Sequence, residues 1–125
     1  MFDHIGFDVR DLHKSKSFYE AALLPLGIKL MMFSEEWKVA GFGTDRPRFW
    51  VGSGQPKNGE GEVHLCFSAK NRAEVRAFYE AAIQAGARDN GKPGPRPEYH
   101  ANYYGAFVID PDGHNVEACC HSPEA

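Results

Sequence analysis

Apolar and polar residues alternate loosely from Phe2 to Val9, with Ile5, Phe7 and Val9 on one side, and the spacing predicts a strand. Asp11 is placed to cap a helix running to about Leu24, in which Leu12, Phe18, Tyr19, Ala22 and Leu23 share one face. Pro25 and Gly27 end it. Three short apolar runs follow, Ile28 to Phe33, Trp37 to Phe42 and Arg48 to Gly52, separated by turn-formers at Ser34 and at Gly43 to Asp45. Each predicts a strand.

The order then repeats. Glu62 to Ser68 predicts a strand, and Asn71, with Glu74 three residues on, has the form of a capping box for a helix to about Ala85. Gly86 suits the left-handed position after it. A short strand is expected near Ala87, a Pro- and Gly-rich loop over Asn90 to Pro97, a strand over Tyr103 to Ile109, a tight turn at Asp110-Pro111-Asp112-Gly113, and a last strand over Asn115 to Cys120. Phe18-Tyr19-Glu20-Ala21-Ala22 recurs as Phe78-Tyr79-Glu80-Ala81-Ala82, and His4-Ile5-Gly6-Phe7 is echoed by His64-Leu65-Cys66-Phe67, both at an offset of 60. One offset across two separated segments means one unit used twice. The expected fold is α+β: one domain over 1–125, built as a βαβββ module over 1–53, a linker over 54–61 and a second βαβββ module over 62–125.

Composition narrows the function. A net charge of −3, with Lys and Arg scattered, gives no electrostatic reason to expect nucleic acid or an anionic membrane. No run of 18 apolar residues and no secretory leader is legible, so a cytoplasmic protein with reduced thiols is expected. Cys66, Cys119 and Cys120 are an odd set, two of them adjacent, and are expected as buried small hydrophobes.

Strand alternation places the candidate chemistry. His4 lies opposite Ile5, Phe7 and Val9, and His64 opposite Val63, Leu65 and Phe67. On the last strand Glu117 lies opposite Val116 and Ala118. Two histidines at repeat-equivalent positions and one carboxylate make a 2-His-1-carboxylate set with open coordination positions; the alternative is two surface histidines and a solvated glutamate. Pro97 to Tyr104 gathers titratable and aromatic groups where a loop enters a strand. There His100 is a candidate general acid/base, and Tyr103 or Tyr104 a candidate donor to a substrate oxygen; the alternative is one tyrosine packed in the core and a solvated loop histidine. His13, His114 and His121 are read as a helix-surface, a hairpin-turn and a tail residue, Glu20 and Glu80 as solvated, and Asp110, Asp112 and Gly113 as turn chemistry.

His4 near the start, Asp11-Leu12 before a helix with Phe18-Tyr19, His64, and the closing Asp110-Pro111-Asp112-Gly113-His114-Asn115-Val116-Glu117 together resemble the vicinal oxygen chelate superfamily. It includes glyoxalase I, extradiol dioxygenases, and fosfomycin- and bleomycin-resistance proteins. The resemblance implies two βαβββ modules forming a curved, incomplete barrel around a divalent metal (Zn, Ni, Mn or Fe), with His4, His64 and Glu117 at the ligand positions. It also implies a homodimer with exchanged modules, in which His4 of one chain ligates with His64 and Glu117 of the other; a site within one chain is the alternative.

The sequence departs from the family at the fourth ligand of glyoxalase I, a Glu on the last strand of the first module. Trp50 stands there, so authentic glyoxalase I chemistry is not expected, and Trp50 becomes a substrate-facing apolar wall or, as the alternative, an ordinary core residue, with Cys66 a second substrate contact. The eight residues after Glu117 hold no Arg for a phosphonate, which argues against fosfomycin chemistry. What the resemblance leaves is a metal-dependent lyase, isomerase or ring-cleaving dioxygenase acting on a small substrate with vicinal oxygens, or a metal-free small-molecule-binding protein.

Overall fold

The computed structural model describes residues 2–54 and 63–123. Their order is β1 (Ile5–Val9), α1 (Leu12–Leu23), β2 (Lys29–Ser34), β3 (Val39–Gly43), β4 (Phe49–Ser53), β5 (His64–Ser68), α2 (Arg72–Gln84), β6 (Arg88–Pro95), β7 (Tyr104–Ile109) and β8 (Asn115–Cys120). The strands form two four-stranded sheets of the same topology, β1-β4-β3-β2 and β5-β8-β7-β6, each with one parallel pair at the first strand. These are two βαβββ modules in an open, mixed α+β arrangement. The linker expected over 54–61 falls, apart from Gly54, outside the described residues.

Local chemistry accounts for the helices. Asp11 accepts from Lys14 N at 3.1 Å and Asn71 from Glu74 N at 2.9 Å, each satisfying a donor that the first helical turn leaves free. Glu74 reaches back one residue further than a capping box requires, to Lys70 N at 2.9 Å. Pro25 turns the chain after α1 through a 3-10 turn, Leu24–Leu26, and Gly27 follows at φ 77°.

The segment expected as a loop over Asn90 to Pro97 is largely strand β6, paired antiparallel with β7. Prolines are tolerated because β6 is the outer strand of its sheet, and register shifts on both sides of Gly91 break the ladder where a regular strand would need it intact. Asp89 Oδ1 accepts from Gly91 N at 3.0 Å, and Arg96 donates to Lys92 O and Gly94 O at 2.8 and 2.9 Å. Side-chain bonds here take over from the backbone pattern.

The helices pack against each other over the helix-facing sides of both sheets, and one apolar core runs through both modules, including Val9, Phe18, Tyr19, Phe49, Leu65, Phe78 and Val116. The Asp110–Gly113 turn does more than reverse the chain. Tyr19 donates to Asp110 Oδ2 at 2.5 Å, and Asp112 accepts from Arg10 N and Ser15 Oγ at 3.0 and 3.2 Å, so the turn of the second module is tied to the first helix. His114, beside that turn, is 3 % exposed, its ring 4.0 Å from that of Phe7.

Candidate metal and substrate site

Each sheet has a face turned away from the helices, and strand alternation sets what it carries. In the second module β5 and β8 pair Cys66 with Glu117 and Ser68 with Cys119. Leu65, Val116 and Ala118 go to the core, and His64, Cys66, Glu117 and Cys119 to the open face. There His64 Nε2 lies 2.9 Å from Glu117 Oε1, and the Tyr103 hydroxyl donates to Glu117 Oε2. Glu117 is 2 % exposed, whereas the His64 side chain is 53 % exposed, so the carboxylate sits below a histidine that solvent reaches. Gly105 helps make this space: a Cβ on it would stand 3.1 Å from both Glu117 Oε2 and Tyr103 Cε1.

Cys66 and Cys119 lie on the same face with their sulfurs 3.2 Å apart. The hydrogen bond from Cys66, together with one from Tyr103, pulls the Cys119 thiol down to about 6, while that bond and burial push the Cys66 thiol up. Burial and the bond to Glu117 raise the Tyr103 phenol. Of the three cysteines expected as buried hydrophobes, only Cys120 is buried; Cys66 is exposed and Cys119 half-buried.

The open face of the first module is assembled alike but carries different groups. Gly6 of β1 pairs with Trp50 of β4, the rung equivalent to Cys66 with Glu117. The indole covers Gly41, where a Cβ would come within 2.7 Å of the ring. His4, Trp50, Met32, Trp37 and Val39 line one shallow depression. His4 Nδ1 bonds Asp3 Oδ1 at 2.8 Å, and Asp3 in turn accepts from Arg46 at 2.8 Å. The hydrogen bond from Arg46, then that from His4, holds the Asp3 carboxyl well below the usual carboxylate range.

The candidate residues therefore separate into two groups. His64, Glu117, Tyr103 and Cys66 come together. His4 and Trp50 share a face of the other module, and among the described residues the one set of three metal-ligating side chains gathered within 4.8 Å is Cys66, Glu117 and Cys119, without His4. Tyr104 lies on the helix side of β7, buried with Val75 and Ala106 under Arg72, which stacks 4.8 Å from its ring; alternation along β7 puts it on the face away from Glu117. His100 sits outside the strands, its Nδ1 accepting from Asn102 N at 3.1 Å. Its ring packs 5.1 Å from His121, whose ring is also 5.1 Å from Tyr103. Sequence reasoning missed Cys119 and His121. The signal for Cys119 was its position two residues from Glu117, the spacing that returns a strand to the same face.

A cavity of about 500 Å³ opens beside His64 and Cys66, between the modules, with Ile5, Phe42, Phe49 and Phe67 in its wall.

A family model described as Glyoxalase/Bleomycin resistance protein/Dioxygenase superfamily matches residues 1–118. No curated protein matches the chain. Among solved structures, a glyoxalase/bleomycin resistance protein from Albidiferax ferrireducens is 29% identical, with 96% of this chain and 98% of that one aligned and a TM-score of 0.80. A glyoxalase-related enzyme from Fulvimarina pelagi is 18% identical, over 96% and 87% of the two chains, with a TM-score of 0.76. The fosfomycin resistance protein FosX from Mesorhizobium loti is 18% identical, over 96% and 91%, with a TM-score of 0.70. The last two likenesses concern the fold. No helix of the described residues is long and apolar enough to cross a membrane.

Proposed function

The chain belongs to the glyoxalase/bleomycin resistance protein/dioxygenase superfamily, and from that premise we propose that it is a metal-dependent lyase, isomerase or ring-cleaving dioxygenase acting on a small substrate with vicinal oxygens. The ligands in this reading are His64 and Glu117 of one chain and His4 of a second, in a cytoplasmic homodimer. The observation that carries it is the 2.9 Å approach of His64 Nε2 to a Glu117 carboxylate that is 2 % exposed. Glu117 has His64 and Tyr103 as its described side-chain partners, with no Lys or Arg among them. A buried carboxylate without a cation is costly, and a divalent ion held by it and His64 offsets that cost. His4 supports the shared site: its Nδ1 is taken by Asp3, which leaves Nε2 as the ligating nitrogen, as carboxylate–histidine pairs do at metal centres.

A bound divalent cation would supply Lewis-acid polarisation of two adjacent substrate oxygens. Tyr103 holds Glu117 from the side opposite His64 and can donate to a substrate oxygen once that bond is exchanged. Trp50 gives the first module's face an apolar wall. His100 is the candidate acid/base at the rim, reached through the His121 ring. Trp50 in place of a carboxylate argues against glyoxalase I itself. Turnover unchanged in His100→Gln with metal content intact would remove that residue from the chemistry.

The test is metal content and its complementation. About one metal per chain in the Cys66→Ser protein, lost when His64→Ala, Glu117→Ala or His4→Ala is added, is the expected result. Mixing His4→Ala with Glu117→Ala chains should recover one intact site per heterodimer. Metal kept by all three variants overturns the reading.

The second reading, a metal-free binder of small apolar molecules, is favoured by the cavity of about 500 Å³ and its apolar wall. Binding of a hydrophobic dye that is unchanged by chelation and abolished by Leu65→Glu would favour it.

A further inference from the structure

We infer that Cys66, Cys119 and Glu117 form a second coordination set, for a thiophilic divalent cation of the zinc type, distinct from the histidine–glutamate set. The two sulfurs are 3.2 Å apart, and one ligating atom from each of the three residues falls within 4.8 Å of the others. Two sulfurs bound tetrahedrally at about 2.3 Å stand roughly 3.8 Å apart, and sulfur and carboxylate oxygen somewhat closer, so small side-chain rotations bring all three onto one ion. The three come from one rung and the next of the parallel β5–β8 pair, so the backbone already fixes their relative positions.

A disulfide is the other use of two close thiols, and the register argues against it. Cys66 pairs with Glu117, and Cys119 with Ser68, so the cysteines are diagonal neighbours. In that register both thiols stand free, their sulfurs 3.2 Å apart against about 2 Å in a disulfide. A metal spans that gap and a 2 Å bond does not. Access is available: Cys66 is exposed and Cys119 half-buried. On binding, each thiol releases its proton to solvent, and the third protein ligand is the Glu117 carboxylate, which leaves a fourth position for water or a substrate oxygen.

The two coordination sets share Glu117 and exclude each other. The thiolate set lies within one chain and needs no second copy. Its sulfur-to-metal band tells it apart from the metal of the function proposed above, which has no thiolate ligand.

The experiment is anaerobic titration of the reduced, metal-stripped full chain with Co²⁺, followed by its near-ultraviolet sulfur-to-cobalt charge-transfer band. Wild type should develop the band to one equivalent per chain. Cys66→Ser and Cys119→Ser should each lose it with unchanged circular dichroism, while His64→Ala keeps it and Zn²⁺ displaces it. Absence of the band in wild type overturns the proposal, as does a band that survives in both serine variants or vanishes in His64→Ala. Fewer than three titratable thiols in the protein isolated without reductant and then denatured with chelator would also overturn it, because the pair would then be a disulfide.

Discussion

Trp50 and Glu117 occupy the same rung of the two sheets: Trp50 stands against Gly6 in β4–β1, and Glu117 against Cys66 in β8–β5. The duplicated unit has kept its backbone and exchanged its chemistry at this rung. One module offers a carboxylate beneath a histidine, and the other an indole beside one. At this rung a site using both histidines thus has one carboxylate to draw on, and the opposing wall is apolar.

The indole depends on the glycines beneath it. A Cβ at Gly41 would meet the Trp50 ring at 2.7 Å, whereas a Cβ at Gly6 would meet the Trp50 backbone oxygen at 2.9 Å. Gly41→Ala and Gly6→Ala should each cost about 1–3 kcal/mol by overpacking. Trp50→Leu should relieve part of the first, since Pro47 Cβ at 2.9 Å remains, and none of the second, because a smaller side chain removes the ring and leaves the carbonyl. Urea denaturation of the two double-mutant cycles measures this; equal coupling in both would contradict the geometry.

The bond between Tyr19 and Asp110 ties the modules together and makes stability depend on alkaline pH. Burial, then the Asp110 charge, raises the Tyr19 phenol well above its usual 10.0. The unfolded chain releases that proton first as pH rises, so the contribution is complete below about pH 10 and is lost above it as pH climbs toward the folded-state value. Wild type should lose stability steeply above pH 10, and Tyr19→Phe should show a shallower decline. At pH 7 Tyr19→Phe should cost about 1.5–3 kcal/mol, since a buried carboxylate loses a donor. Chemical denaturation at pH 7 to 11 reads both effects, and parallel pH profiles would refute the assignment.

Much of this was legible in the chain, for identifiable reasons. The repeat at an offset of 60 gave two modules because identical apolar faces have to be buried identically, and Asp11 and Asn71 cap the helices they were expected to cap. Strand alternation put His64 and Glu117 on one face, where they meet. Other features depended on tertiary contacts that no local pattern encodes. The β6 strand is stabilised by its partner and by Asp89 and Arg96 despite two prolines. Asp110 and Asp112 bind residues some 90 to 100 positions away. Tyr103 and Tyr104 are adjacent aromatics, and only the point where β7 begins decides which one faces Glu117.

His114 is a polar residue whose ring makes no hydrogen bond among the described residues. Both ring nitrogens are buried without a partner, and the ring stacks on Phe7 at 4.0 Å. An apolar side chain of similar volume keeps the packing and removes two unpaired polar atoms. His114→Leu should therefore change stability by less than about 1 kcal/mol or raise it, whereas Asp112→Ala, which strips partners from Arg10 N and Ser15 Oγ, should cost about 2–4 kcal/mol. Thermal melts of both variants separate these expectations. A His114→Leu loss as large as that of Asp112→Ala would mean that the imidazole has a partner.

The shared site proposed for His4, His64 and Glu117 ties metal content to assembly. His4 lies in the depression with Trp50, apart from the His64–Glu117 pair, so a metal using all three would be bound by the dimer and only partly by the monomer. A ligand that binds one state alone stabilises it by about 2.7 kcal/mol at a free concentration 100 times its dissociation constant. For each site that corresponds to about a 100-fold tighter dimer. Chelation should therefore weaken the dimer by that factor or more, and His4→Ala should be as weak with metal as without it. Sedimentation across protein concentration, with and without chelator, measures the shift. A dimer constant that ignores metal removal would place the metal, if one is bound, within a single chain.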